Sequence, residues 1–84
     1  MNQQWYVYIV RCADDSLYTG ITTDLVRRIG EHNGTGSGAR YTRGRRPVEL
    51  VYSETVPDRS QATRREYLIK QMNLDQKRAL INPN

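Results

Sequence analysis

The sequence is short of the residues that most small catalytic domains depend on. It holds one cysteine, Cys12, and one histidine, His32, in 84 residues. A lone cysteine excludes an internal disulfide framework and any cysteine-rich zinc module. No HxxxH, CxxC or clustered carboxylate pattern offers a closed zinc site or a two-metal site. Phenylalanine is absent, and lysine occurs only as Lys70 and Lys77. No stretch approaches the about 18 apolar residues of a membrane span. Met1-Asn2-Gln3-Gln4 lacks the basic-then-apolar pattern of a secretory leader. These absences lead us to expect a soluble, cytoplasmic chain with no membrane partner, and its length suits a single domain, 1–84.

What the chain does have is arginine. Eleven of its thirteen basic residues are Arg, and its formal charge is +4. Arg27, Arg28, Arg40, Arg43, Arg45 and Arg46 lie between residues 27 and 46 against Glu31 alone, so that segment carries +5 and the remainder −1. A solvated face would account for scattered arginines. Their local density beside a glycine-rich run favours phosphate contact, and Arg presents a planar fork of donors suited to it. The run Gly34-Thr35-Gly36-Ser37-Gly38 lacks the Gly-Lys-Ser/Thr ending of a P-loop. It reads as a mobile loop between phosphate-contacting arginines.

Hydrophobic patterning predicts three strands, at about 5–11, 16–22 and 48–54. Trp5 to Val10 is aromatic and β-branched, as in a strand buried on both faces. Ala13-Asp14-Asp15-Ser16 is turn chemistry, which makes the first two strands a hairpin. A loop of Asp14-Asp15-Ser16 would pair Ala13 with Leu17 and put Tyr8 and Tyr18 on one face of the sheet. Helices are predicted at about 24–32, 59–72 and 75–81. The first starts at Asp24, carries Leu25, Val26 and Ile29 as its apolar stripe, and ends in a left-handed cap at Asn33-Gly34. Arg28 and His32 lie on the stripe's shoulder, with Arg27 and Glu31 towards water. The second helix turns Ala62, Leu68, Ile69 and Met72 inwards, and Glu66 borders that face. Arg65 falls inside the stripe, as a snorkelling stem or a phosphate contact. Asp75 starts the third. The fold class is α/β (α+β).

Individually, the polar residues have ordinary explanations. Strand tyrosines usually pack, a helix-edge glutamate is usually solvated, and Cys12 in an apolar setting reads as a small buried thiol. Together they could support phosphodiester hydrolysis. That reaction needs an activated water, a stabilised pentacoordinate phosphorus and an eased leaving oxygen. A divalent ion on Glu66 could act as Lewis acid, Arg28 could offset developing charge, and Tyr8 or Tyr18 could activate water if a cation lowered its pKa.

Tyr6-Val7-Tyr8, followed by Tyr18-Thr19-Gly20, resembles the two-part signature of the GIY-YIG nuclease superfamily, with Tyr6 and Thr19 in place of its first Gly and second Ile. The match continues through Arg28, His32 and Glu66, over residues 5 to about 81. Tyr18-Thr19-Gly20-Ile21-Thr22-Thr23-Asp24, Gly38-Ala39-Arg40-Tyr41-Thr42 and Arg64-Arg65-Glu66-Tyr67 resemble the small stand-alone bacterial YhbQ-like branch. The resemblance implies a small sandwich with a central three-stranded antiparallel sheet flanked by helices. It also implies a mechanism with a single divalent ion, Mg²⁺ or Mn²⁺. Tyr8 would be general base and Tyr18 would orient the water or phosphate. Arg28 would stabilise the phosphorane, His32 would position groups or transfer a proton, Glu66 would hold the metal, and Gly20 would allow close approach of backbone or substrate.

Two positions depart from the pattern. Ile21 stands where several relatives, including the nucleotide-excision-repair subunit, carry Lys, and Asn82 is the one nearby candidate for an Asn that many place beside the site. Activity is expected to be weak or partner-dependent. The expected partner is nucleic acid, DNA ahead of RNA, gripped by Arg27, Arg40, Arg43, Arg45 and Arg46. A homodimer or a protein partner would supply specificity. Two rival readings stand: a non-catalytic nucleic-acid-binding module built on residues 40–46, and a protein-interaction domain whose positive charge is incidental.

Overall fold

The run from Trp5 to Arg11 becomes the middle strand of three, which explains why it has no polar face. A computed structural model describes residues 3–34 and 40–83. The elements are β1 (Trp5–Arg11), β2 (Leu17–Thr22), α1 (Leu25–Asn33), α2 (Arg40–Arg43), β3 (Glu49–Val56), α3 (Arg59–Lys70) and α4 (Leu74–Ile81). Both pairings are antiparallel and the strand order is β2-β1-β3. The glycine-rich stretch 35–39 lies outside the described residues, as do the side chains of Arg40 and Tyr41.

Alternation along β1 divides the core in two. Val7 and Ile9 pack with Ala62 and Ile69 of α3, backed by Met72, Leu80 and Ile81. Tyr8 and Val10 point to the opposite face, with Cys12, Val48, Tyr18 and the α1 residues Leu25 and Ile29. Helices thus cover both faces of a small sheet, and Val7 to Val10 are all buried.

The hairpin sets which side chains meet. Tyr8 pairs with Gly20 and Val10 with Tyr18, so the two tyrosines share a face as diagonal neighbours. The connecting loop has an odd length but is displaced by one residue from the expected one. Cys12 N–H donates to Ser16 O at 2.8 Å and Asp15 N–H to Cys12 O at 2.9 Å. Asp15 takes the left-handed conformation, φ 66, as in a three-residue loop whose last member must sit there. Asp tolerates that region better than Ser does, so the loop is Ala13-Asp14-Asp15. On the other side of β1, Ile9 pairs with Tyr52 and Val10 with Leu50, which leaves Val51 as a bulge.

The helix ends show what the sequence signals did and did not determine. Asp24 caps α1, accepting from Arg27 N–H at 3.0 Å. Asp58 caps α3, accepting from Gln61 N–H at 2.8 Å. The α4 helix is capped by Asn73 in a reciprocal box with Gln76, and Asp75 lies inside the first turn. At the C-terminus of α1, Gly34 is extended at φ −85, not left-handed. Asn33 makes the stop tertiary: its Nδ2 donates to Val48 O at 3.1 Å and its Oδ1 accepts from Val48 N–H at 2.7 Å. That pair of bonds ties α1 to the start of β3.

Two residues leave the expected apolar stripes. Val26 is 86% exposed and Leu68 48% exposed. On α1 the inward face is Leu25, Ile29 and His32, with spacing i, i+4, i+7. On α3 the buried positions are Ala62 and Ile69. Arg65, one turn from each, points along β3 and donates from Nε to Glu54 Oε1 at 2.5 Å. Its place within the stripe is thereby explained by an ion pair. The one-turn helix α2 has no periodic signal in the sequence, because four residues cannot display one.

Truncating Ile69 to Ala is expected to cost about 2–5 kcal/mol. Val26→Ala, on the exposed face, should change stability by less than about 0.5 kcal/mol. Urea denaturation of the two variants checks both.

Candidate active site

The face of the sheet carrying Tyr8 and Tyr18 is closed by α1, and α1 delivers His32 between them. A Cβ at Gly20 would lie 2.5 Å from the Tyr8 hydroxyl oxygen, so the absent side chain is the space in which the Tyr8 ring lies. Sequence reasoning assigned that space to backbone or substrate. The His32 ring meets both tyrosine rings edge-on, with centroids 5.8 Å from Tyr8 and 5.4 Å from Tyr18.

His32 has no exposed surface, and both its nitrogens are engaged. Nε2 is 2.8 Å from the Tyr8 hydroxyl and Nδ1 is 2.9 Å from Thr42 Oγ1. Burial, reinforced by the nearby positive charge of Arg28, pushes the imidazole pKa below its ordinary 6.5 and favours the neutral ring. Burial also raises the Tyr8 phenol to about 12, only partly offset by the neighbouring Arg28 guanidinium. Tyr8 is therefore a neutral phenol at physiological pH, facing a neutral imidazole.

Arg28 reaches this pair from one turn earlier on α1. Its Nη1 donates to Glu31 Oε1 at 2.9 Å while Glu31 Oε2 accepts from Arg27 Nη1 at 2.9 Å. Glu31 thus faces two guanidinium groups and is half-buried, where the sequence reading placed it in water. The Arg28 hydrogen bond holds its carboxyl below the usual carboxylate range. Arg27, Arg28 and Glu31 line an open hollow with Trp5, Ile21 and Thr22.

Glu66 belongs to α3, on the other face of the sheet, and approaches beside the edge strand β2. Its Oε2 is 3.4 Å from Lys70 Nζ, and that ammonium is 6.0 Å from the Tyr18 ring centroid. The negative charge of Glu66 is close enough to disfavour ionisation of Tyr8. Among the described residues no three His, Cys, Asp or Glu side chains converge. One carboxylate suits a hard ion such as Mg²⁺, which keeps several waters and takes phosphate oxygens, and it does not suit a protein-enclosed zinc.

The remaining arginines are distributed differently from the reaction centre. Arg45 Nε donates to Asp14 Oδ2 at 2.9 Å, and Ala13 N–H donates to Arg45 O at 2.9 Å, docking this segment on the hairpin. Arg46 donates to the backbone oxygens of Arg43 and Gly34. Arg43 is exposed, and the Arg40 side chain lies outside the described residues. Asn82 lines a different hollow, with Arg11, Leu17, Val51 and Leu74. Tyr8, Tyr18, Arg28 and His32 are thus brought together, Glu66 stands at their margin, and Arg45 and Arg46 tie their own segment to the hairpin and to the end of α1. Thr42 and Glu31 were missed. Thr42 stood only as the last residue of the Gly38–Thr42 stretch that carries the family resemblance, without a role of its own. A helix-surface glutamate four residues after an arginine reads as an ordinary solvated pair.

The sequence matches the family of the GIY-YIG catalytic domain over residues 4–79, and the chain belongs to that family. Within it, the similarity runs to small proteins of the UPF0213 group, in bacteria and archaea alike. UPF0213 protein DP2720 of Desulfotalea psychrophila is 64% identical over 77 residues, 92% of this chain and 70% of that protein. UPF0213 protein HQ_3675A of Haloquadratum walsbyi is 55% identical over 80 residues, 95% of this chain and 89% of that one. The solution NMR structure of UPF0213 protein BH0048 from Bacillus halodurans superposes with a TM-score of 0.61 at 44% identity, covering 96% of this chain and 85% of that one.

Two predictions follow from the packing of these rings. A folded-state imidazole pKa below 6.5 means that the unfolded chain binds the proton first, so His32 contributes stability above that pH and loses it on acidification. Urea midpoints should fall as pH drops below about 6.5, and His32→Gln should flatten that part of the profile. Gly20→Ala should displace Tyr8 and cost about 1–3 kcal/mol. The same urea assay, with the His32 ring signals followed by NMR, checks it.

Proposed function

We propose that the chain is a metal-dependent nuclease that hydrolyses phosphodiester bonds of nucleic acid, DNA ahead of RNA, in the cytoplasm. Membership of the GIY-YIG family supports the reaction class. The observation that carries the reading is the buried contact of His32 Nε2 with the Tyr8 hydroxyl at 2.8 Å, with the Arg28 guanidinium beside that pair. An inert packing tyrosine would need neither a buried imidazole nor a guanidinium beside it.

With its pKa raised to about 12, Tyr8 cannot serve as a standing phenolate. It can relay a proton. The attacking water gives its proton to the Tyr8 oxygen while the phenol's own proton passes to His32 Nε2, 2.8 Å away. Tyr8 ends neutral and His32 carries the proton. As the new P–O bond forms, the bond to the leaving oxygen breaks and that oxygen takes a proton from solvent. His32 returns its own to water once the products leave. Arg28, held by Glu31, presents its donors to the phosphoryl oxygens as negative charge accumulates. Tyr18 packs the far side of the imidazole and helps orient the water or the phosphate. Glu66 would hold the single Mg²⁺ or Mn²⁺, which supplies Lewis-acid stabilisation of the phosphate. We assign the grip on the strand to the arginines of the basic segment, Arg27, Arg40, Arg43, Arg45 and Arg46. A second copy or a partner protein supplies target choice.

Cleavage of a panel of duplex, single-stranded, branched and RNA substrates with Mg²⁺ or Mn²⁺ tests the reading. Arg28→Ala should lower kcat about 10²–10³-fold. Glu66→Ala should reduce cleavage to background, with far-UV circular dichroism unchanged. Salt-sensitive binding without cleavage, indifferent to chelator and to Glu66→Ala, would instead support a binding module on residues 40–46.

A further inference from the structure

We propose that Thr42 is a positioning residue that holds His32 in its Nδ1-protonated form, leaving Nε2 bare to receive the Tyr8 proton. Around the ring, donors and acceptors fit in one arrangement. The Arg28 guanidinium beside Tyr8 carries only donors and offers the phenol proton no acceptor. Tyr8 has one proton to give, and its hydroxyl lies 2.8 Å from His32 Nε2. If Nε2 carried hydrogen, it would donate to the Tyr8 oxygen while the phenol's own proton pointed into a buried space with no other acceptor among the described residues. A buried donor left without a partner is strongly disfavoured. Nε2 is therefore the acceptor, and a neutral imidazole must then bear its hydrogen on Nδ1.

That N–H meets Thr42 Oγ1 at 2.9 Å, on a residue with no exposed surface. The threonine hydroxyl accepts through a lone pair and keeps its own proton for another bond. The tautomer of an imidazole is set by the partner of its second nitrogen. Thr42 stands in α2, and Arg45 N–H donates to Thr42 O at 2.9 Å. The proton acceptor of the site is thus oriented from the arginine-bearing segment, a link that nothing in the local sequence around His32 discloses.

Because the chain has one histidine, ¹⁵N NMR of the labelled protein at neutral pH reads the tautomer directly. The wild-type ring should show Nδ1 protonated and Nε2 as the bare, pyridine-type nitrogen. Thr42→Val keeps the shape and removes the acceptor, so the Nε2-protonated form should gain population. Thr42→Ser should restore the wild-type spectrum. The kinetic arm rests on the nuclease reading. There, Thr42→Val should lower kcat about 10–100-fold, the scale on which loss of a histidine's orienting partner acts, and Thr42→Ser should recover it. A wild-type Nε2-protonated ring overturns the proposal, and so does a Thr42→Val spectrum that stays Nδ1-protonated. If Thr42→Val does not fold, the wild-type and Thr42→Ser spectra still decide. If the wild type cleaves no substrate, the nuclease reading fails while the tautomer result stands by itself.

Discussion

The burial of one imidazole organises this molecule. His32 fills the space between the sheet and α1, and a buried ring with two polar nitrogens must find two partners or destabilise the fold. Tyr8 and Thr42 meet that demand from a strand on one side and a one-turn helix on the other. Each partner imposes a further condition. The Tyr8 ring can lie where it does because residue 20 has no side chain. Thr42 can reach Nδ1 because α2 is held in place, with Arg45 bound to Asp14 and Arg46 to the Gly34 carbonyl. Packing and chemistry thus impose the same demands on the same atoms.

Charge is arranged around that neutral centre. Glu31 holds Arg27 and Arg28 together, so one guanidinium is presented to Tyr8 without a disordered side chain having to be immobilised on substrate binding. On the opposite helical layer, α3 divides its polar residues between its two flanks. Arg65 faces β3 through Glu54, while Glu66 and Lys70 face the edge strand β2. The first pair is structural. The second places a carboxylate at the margin of the site with an ammonium already beside it. These ion pairs are only partly buried and contribute modestly to stability individually; their consequence is where charge stands relative to Tyr8.

Much of the architecture was legible because it rests on local rules. Alternation and β-branching marked β1, and an aspartate three residues ahead of the backbone group it caps marked α1. Parity of the hairpin placed Tyr8 and Tyr18 on one face even though the loop was displaced by a residue, because displacing both ends together preserves the alternation. The errors arose where a neighbour distant in sequence decides. Leu68 and Val26 have the hydrophobicity of core residues and lie on the surface. The sheet receives only a narrow stripe of each short helix, and a 100° rotation takes a residue out of it. Arg65 could not be assigned until Glu54 stood opposite it, and Asn33 ends α1 through Val48, fifteen residues further along.

The sequence by itself determined the strands, the main helices, the family resemblance and the identities of Tyr8, Tyr18, Arg28, His32 and Glu66 as residues to be explained together. Those are consequences of periodicity, capping and order along the chain, which a linear string retains. Only the tertiary structure decided what their atoms do to one another. A phenol pKa moves because water is excluded from around it, and an imidazole tautomer is selected by two partners twenty-four and ten residues away. The basic segment illustrates the difference: its charge could be counted in the sequence, but its division between a guanidinium beside Tyr8 and arginines tying their own segment to the hairpin and to α1 depends on contacts that form only when the chain closes on itself.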